Sequence, residues 1–352
     1  MTHTYYKRIL ILPDAGTKNP FQYQMIDLLK ANHMHVVLGK KLKLFSLLNA
    51  VRNSNPDVIY FDWIHSFILG KSFLSTAVKS FTFLLEIVYL SYLKQIPLIH
   101  TAHNIQNHKS KFLLIERIIY KFFLRRCAKV RTYSEAVRNE LSLKFNISPD
   151  KIYVIQDIPF HHYYANNTTQ KESRLKLGLL EDGFLYLFFG RTEPYKGLEN
   201  LISAFLSIPK SNNYLIIAGE SLDLSYLTQL KKMSYVYSRI IWFDKFIAPE
   251  SIQYFFNAAD VIVLPFARIY HSGSIDLSMS FSKPVITCKT PAVVELLNHQ
   301  DTLLFEKPAQ LTNCLLQAKK LNLNHIGRLN FTIANSSNYI DLLCLFRIRS
   351  VK

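Results

Sequence analysis

The chain has 352 residues, of which 49% are hydrophobic and 19% charged, and its formal net charge is +17. That length exceeds the usual single domain, and the composition supports packed cores, so a disordered or collagen-like chain is excluded and two domains are expected. Cys127, Cys288, Cys314 and Cys344 are widely spread with no CxxC pair, which leaves no disulfide framework and no thiolate metal cluster and fits a reducing compartment. A positive balance of this size calls for an anionic partner: nucleic acid, an acidic membrane surface or a diphosphate-bearing substrate.

The opening run MTHTYYKRILILPDAG has too short an apolar core for a signal peptide. Arg8–Leu12 reads as a strand, and Asn19-Pro20 then starts a helix through about Ala31, with Asn as cap and Pro in the first turn. His35–Leu38, Val58–Phe61, Leu98–Thr101, Val130–Tyr133 and Ile152–Ile155 follow as short apolar or β-branched runs with helical segments between them. Strands alternating with helices imply a parallel sheet covered on both faces. Phe73 to Leu93 is the best candidate for a membrane span, but Lys79 and Glu86 interrupt it; a buried helix is expected there.

Charge is concentrated between Lys109 and Arg131, where eight Lys/Arg stand against one acid, Glu116. Arg117, Lys121 and Arg125 recur every four residues, on one face of a helix and interleaved with apolar and aromatic residues such as Ile118, Tyr120 and Phe122. Such a helix suits docking on anionic lipid, and equally suits packing on its domain with solvated cations.

Gln156 to Gly178 breaks the rhythm with Pro159, His161-His162 and a polar run, the pattern of an interdomain connection. A second alternation then begins, with strands at Tyr186–Phe189, Tyr214–Ala218, Ile240–Phe243, Val261–Leu264, Val285–Thr287 and Thr302–Phe305. The expected division is a domain over 1–157, a linker over 158–178, a second domain over 179–335, and a segment over 336–352 that returns to the first domain. Two doubly wound sheets in series place ligands at the carboxyl ends of their strands.

Two loops at such ends carry the sharpest chemistry. In Phe188-Phe189-Gly190-Arg191-Thr192-Glu193-Pro194-Tyr195-Lys196-Gly197, a buried strand ends at Gly190 and two cations follow. Arg191 suits bidentate contact with phosphate oxygens and Lys196 supplies a compact point charge, a pair able to neutralise a departing diphosphate. A surface loop with ordinary cations is the plain alternative. In Pro265 to Asp276, Ser272-Gly273-Ser274 opens a helix, offering unpaired N–H groups and two hydroxyls to an anion. Asp276 lies in the first turn, where the helix dipole tolerates a carboxylate or a sugar hydroxyl can meet it. A cap without a ligand reads the same way.

In this order the two loops resemble glycosyltransferase family 4 and its GT-B relatives. The Phe188–Phe205 run, the strand end Ile216-Ile217-Ala218-Gly219, the run Phe256-Asn257-Ala258-Ala259-Asp260-Val261-Ile262-Val263-Leu264-Pro265, and Lys283-Pro284-Val285-Ile286 carry the likeness over about residues 185–310. The resemblance implies a GT-B fold, two doubly wound Rossmann-like α/β domains facing each other across a cleft. It also implies that Gly190, Arg191 and Lys196 hold the donor diphosphate and that Ser272, Gly273 and Ser274 contact phosphate or donor sugar. The family's paired glutamates are absent: Ile269 and Leu277 stand near their places, which leaves the stereochemistry open.

In the first half, Leu98-Ile99-His100-Thr101-Ala102-His103-Asn104 to His108 is similar to the family's Thr-x-His-Asn loop, which implies that His103 faces donor sugar and acceptor. His100 reads as a core residue and His108 as a solvated one. Asp62-Trp63-Ile64-His65 follows another buried strand; Asp62 is a candidate base for an acceptor hydroxyl, or a cap beside a structural Trp. Asp14 is a weaker candidate, and Ser134 is explained as a helix cap.

The reading is a metal-independent hexosyltransferase with a nucleotide-diphosphate sugar donor and no cofactor. His103, Asp62 and Asp276 are its catalytic candidates. Its expected partners are a saccharide or lipid-linked saccharide acceptor of surface polysaccharide assembly and an anionic membrane surface at the cytoplasmic face, with no nucleic acid. An epimerase-type or non-catalytic GT-B sugar-nucleotide-binding protein is the alternative.

Overall fold

The computed structural model describes residues 5–16, 19–40, 44–105, 112–210 and 212–348. They group into two units: one takes in the described residues up to Ile158 together with those from Asn338 onward, and the other runs from Pro159 to Ser337.

The first unit is built on six parallel strands, β1 (Arg8–Leu12), β2 (His35–Leu38), β3 (Val58–Phe61), β4 (Leu98–Thr101), β5 (Lys129–Thr132) and β6 (Ile152–Val154), in the order β2-β1-β3-β4-β5-β6. Val58, Ile59, Tyr60 and Phe61 are all fully buried. This is why β3 reads as a continuous apolar run rather than an alternating one: helices cover both faces of the sheet. The Pro20–Ala31 helix starts at Pro20 with Asn19 before it, but the Asn19 side chain makes no cap bond. Ser134 does cap its helix, its hydroxyl accepting from Val137 N at 3.2 Å.

The last described residues complete this unit. Leu342, Leu345 and Phe346 are buried with Ile9, Ile11, Met25 and Val58. Lys129, itself buried, donates from Nζ to the carbonyls of Cys344 (2.7 Å), Leu345 (3.0 Å) and Arg347 (2.9 Å). The ammonium thereby joins the backbone N–H groups that reach Cys344 O and satisfies the carbonyls of Leu345 and Arg347 at and just past the end of the Leu342–Leu345 helix.

The second unit repeats the plan with β7 (Phe184–Phe189), β8 (Asn213–Ala218), β9 (Ile240–Phe243), β10 (Val261–Leu264), β11 (Val285–Cys288) and β12 (Leu304–Phe305). Its parallel order is β12-β11-β10-β7-β8-β9. Each of the twelve expected strands forms within two residues of its sequence bounds.

Two expectations are corrected here. Residues 159–178, read as a connection, are built into the second unit. Phe160 joins its core, and Thr169 and Glu172 close a capping box on the Gln170–Lys176 helix. Arg174 then donates to Ala258 O at 3.1 Å and pairs with Asp260 at 2.9 Å, while the same carboxylate accepts Leu185 N of β7 at 2.7 Å. Polar composition suggested a linker because the charges that anchor the segment look like solvated ones in sequence. The Phe73–Val88 helix, expected to be buried, turns only one side inward, through Thr76, Ser80, Phe83, Glu86 and Ile87. Leu74 and Phe81 on its other side are 72% and 61% exposed.

Lys129→Ala should destabilise the protein by about 2–4 kcal/mol, since it strands buried carbonyls that a charged donor satisfies. Urea unfolding checks this, and Lys129→Met, which keeps the aliphatic stem, should lose nearly as much.

Candidate active site

In the second unit the end of β7 meets the loop after it and the start of the Gly273–Ser280 helix. Gly190 has φ +136°, a backbone that favours glycine, and a β-carbon on it would lie 2.9 Å from Lys196 Nζ and 3.6 Å from Ser274 Oγ. Gly190, Lys196 and Ser274 therefore converge on one small space, and the missing side chain of Gly190 keeps that space open. Ser272 caps the helix through its hydroxyl, which accepts Ser274 N at 3.2 Å. Nothing lies within 4 Å of the place a Gly273 β-carbon would take, so the positive end of the helix is accessible.

Lys196 is the unusual group. It is 9% exposed, and no hydrogen bond or ion pair to its ammonium is found among the described residues; its nearest ring neighbours are Phe188 and Phe266, at 5.8 and 5.9 Å. Burial lowers its pKa to about 8, with Glu193 opposing that shift and Arg191 adding to it. A buried ammonium without an acceptor is a standing electrostatic cost that an arriving anion relieves.

Arg191 does not join this group. Its side chain is 52% exposed and pairs with Glu220, just past the end of β8, at 3.4 Å. Asp276 sits in the first turn as expected and pairs with His271 Nε2 at 3.3 Å.

In the first unit the ends of β3, β4 and β5 bring three side chains into line. Asp62 is fully buried: Oδ1 accepts from His103 Nε2 and Oδ2 from Gln22 Nε2 at 3.2 Å. The other ring nitrogen of His103 meets the Tyr133 hydroxyl at 2.9 Å. The imidazole stacks on Trp63 (4.8 Å, 11°) and meets the edge of Phe21 at 5.3 Å. Both ring nitrogens and the face on Trp63 are thus fixed, while the His103 side chain keeps 12% exposure. The Tyr133 hydroxyl is held well above its usual pKa by burial and by the Asp157 charge, so it stays protonated.

This placement corrects the reading of Asp62 as a base open to an acceptor. The carboxylate lies behind the imidazole and is bonded to it. His100 is the core residue expected, bonded to Phe61 O at 2.9 Å and Tyr120 at 3.1 Å, with burial holding its pKa down to about 3. Asp14 turns back to accept Gly16 N at 2.9 Å. His108 lies outside the described residues.

Comparison with known proteins ties both clusters to one family. Residues 169–324 match the model for glycosyl transferases group 1, and residues 38–157 match that for glycosyltransferase family 4, together well over half the chain. The chain belongs to the group 1 glycosyltransferases. The first match holds Gly190, Arg191, Lys196, Ser272, Gly273, Ser274 and Asp276; the second holds Asp62, His103 and Tyr133.

Among relatives of this glycosyltransferase, the GDP-mannose:glycolipid 4-beta-D-mannosyltransferase of Xanthomonas campestris is 23% identical over 274 residues, 78% of this chain and 70% of that protein. An uncharacterized glycosyltransferase of Methanocaldococcus jannaschii is 28% identical over 178 residues, and the match spans 49% of this chain but only 45% of the archaeal protein. Among solved structures, Anabaena HepE in complex with UDP and glucose has a TM-score of 0.71 at 18% identity, covering 96% of this chain and 97% of that one. WaaG, a glycosyltransferase involved in lipopolysaccharide biosynthesis, has a TM-score of 0.64 at 14% identity, with coverage of 96% and 97%. These likenesses establish the GT-B fold, two Rossmann-like α/β domains.

Sequence reasoning missed Tyr133, Gln22 and Glu220 as members of these clusters. Tyr133 and Glu220 directly follow or close strands, as His103 and Arg191 do, and that shared position was the available signal.

The pH dependence of Lys196 has a definite sign. Below its folded pKa of about 8 the lysine is charged both folded and unfolded, so the burial cost on the ligand-free protein is full; it fades as pH rises towards the unfolded value. Lys196→Met should therefore stabilise the ligand-free glycosyltransferase by about 2–3 kcal/mol near pH 7 and by little above about pH 10, read by urea unfolding at both.

Proposed function

We propose that this glycosyltransferase moves a hexose from a nucleoside-diphosphate sugar to the saccharide of a lipid-linked acceptor, without an obligatory metal. The observation that carries the donor assignment is buried Lys196, whose ammonium finds no acceptor among the described residues beside Gly190 and Ser274. HepE holds UDP and glucose, and the Xanthomonas relative is a GDP-mannose enzyme acting on a glycolipid; both lend support.

In the reaction, the bond between the anomeric carbon and the diphosphate oxygen breaks, its electron pair leaves with the diphosphate, and an acceptor hydroxyl oxygen bonds to that carbon as its proton passes to the released diphosphate. Lys196 and the helix start at Ser272–Ser274 stabilise the charge that develops on the leaving group, and fixed positive charge aimed at such an oxygen lowers the barrier more than any other group in the site. Arg191 exchanges Glu220 for a phosphate oxygen when the donor arrives. The chain itself thus supplies the positive charge for which other enzymes recruit a metal. His103 contacts the reacting sugars, Asp62 positions it, and Asp276 meets a donor hydroxyl or sustains the helix start.

A thermal-shift series with UDP, GDP, ADP and dTDP tests the donor: one should raise the melting temperature selectively, because a ligand of the native state stabilises it by mass action. No stabilisation by any of them sinks the assignment. With the donor known, Arg191→Ala and Lys196→Ala should each lower transfer by about a hundredfold or more while the fold persists; near-normal turnover in both contradicts the proposed role.

The Asp62–His103 pair makes a separate expectation. His103→Ala should lose most of kcat with donor binding intact, and Asp62→Asn should lower kcat and move its pH profile, since the amide no longer holds the same imidazole tautomer. An unchanged profile in Asp62→Asn removes the positioning role.

A further inference from the structure

The helix Phe73–Val88 and its π-helical continuation Tyr89–Leu93 carry an outward face with no charge on it. Leu74, Val78, Phe81, Leu85, Val88 and Tyr92 recur at steps of four and three, and each is 40–72% exposed. The two charged residues of the segment face the other way. Lys79 Nζ donates to Ser66 O at 3.2 Å and Leu69 O at 2.8 Å, and Glu86 accepts Leu47 N and Leu48 N at 2.9 and 3.0 Å. A soluble helix hides its apolar stripe and shows its charges; this one buries Phe83, Ile87 and Leu90 but exposes a second apolar stripe and turns its charges inward. It is also anchored to its unit by those bonds, so it does not leave the unit to span a bilayer.

The surroundings say what covers the face. Between Trp63 and Ser134 the sequence has eleven Lys/Arg and two acids, Glu86 and Glu116. Both acids are buried. The Leu113–Arg126 helix packs beside the apolar face: Phe112 meets Phe73 at 6.1 Å, and the Arg126 guanidinium lies 4.3 Å from the Tyr92 ring. Arg117 and Arg125 on that helix are exposed, and Lys121 is half-buried. An apolar stripe with tyrosine at one end and a wholly basic flank fits the headgroup and upper acyl region of an anionic bilayer. A second copy would bring the two basic flanks together, which charge opposes.

We propose that the outward face of Phe73–Leu93 seats in the surface of an anionic membrane, with the basic face of the Leu113–Arg126 helix gripping the headgroups. Charge alone pointed to the basic helix; the structure makes the neighbouring apolar helix the inserted element. The proposal does not depend on which sugar is transferred.

Flotation of the full chain with phosphatidylcholine vesicles, with and without phosphatidylglycerol, is the test. The protein should float with the anionic vesicles, and Phe81→Glu/Leu85→Glu should reduce binding at least about tenfold while melting as the parent does. Arg117→Glu/Lys121→Glu/Arg125→Glu should also release it. Tyr92→Trp should be quenched by brominated lipid, a readout that surface adhesion by charge alone does not give. Undiminished flotation of Phe81→Glu/Leu85→Glu overturns the proposal, as does a dimer on light scattering that this variant abolishes without any vesicle binding. Nucleoside-diphosphate stabilisation of the same variant reads the donor site separately, so failure of one assignment is visible apart from failure of the other.

Discussion

A β-carbon on Gly219 would lie 2.2 Å from the carbonyl oxygen of Gly190, and both residues hold positive φ, +140° and +136°. The ends of β7 and β8 come so close that Gly219 cannot carry a side chain without pushing the Gly190 backbone away. That contact fixes the direction in which the chain leaves β7. It sends Arg191 towards Glu220 at the end of the neighbouring strand and brings Lys196 back beneath Gly190. Burial of the lysine follows from the turn, and the charge presented to a ligand follows from the burial. The potential at this site therefore rests on a backbone contact more than on any polar bond.

The first unit arrives at its site by another route. Three adjacent strand ends deliver Asp62, His103 and Tyr133, and Gln22 reaches over from the Pro20–Ala31 helix to hold the free side of the carboxylate. Gln22 also donates to Pro13 O at 3.0 Å and accepts Ala15 N at 2.9 Å, so the loop after β1 is tied to the same cluster. The imidazole is held at both nitrogens and on its Trp63 side by groups that are themselves held, the kind of rigidity that catalytic geometry needs.

The strands were legible in the sequence because a buried parallel strand must be a short, unbroken apolar run, and Val58–Phe61 or Val261–Leu264 admit no other reading. The Gly190–Gly197 loop stood out because glycines and two cations follow such a run, but the loop alone also suits a plain surface turn, and only the family resemblance pointed to a diphosphate. Pairings were not. That Asp62 sits behind His103, or that Arg191 faces Glu220, depends on residues brought together by the fold from 41 and 29 positions apart. The Phe73–Leu93 helix failed for a different reason: period and composition identify an apolar helix but do not say which of its sides finds a partner. Lys79 and Glu86 looked like interruptions, whereas both are bonded into the unit.

Lys129 and the carbonyls it holds have a consequence for how the chain is made. The first sheet is in hand once β6 has been synthesised, but its core lacks Leu342, Leu345 and Phe346 until the second unit has also emerged. The second unit is one continuous stretch and needs nothing beyond Ser337. During vectorial synthesis, in which domains fold as units as they appear, the later unit is therefore the first to be complete. The earlier one waits for the residues after Ser337, among them those whose carbonyls Lys129 holds.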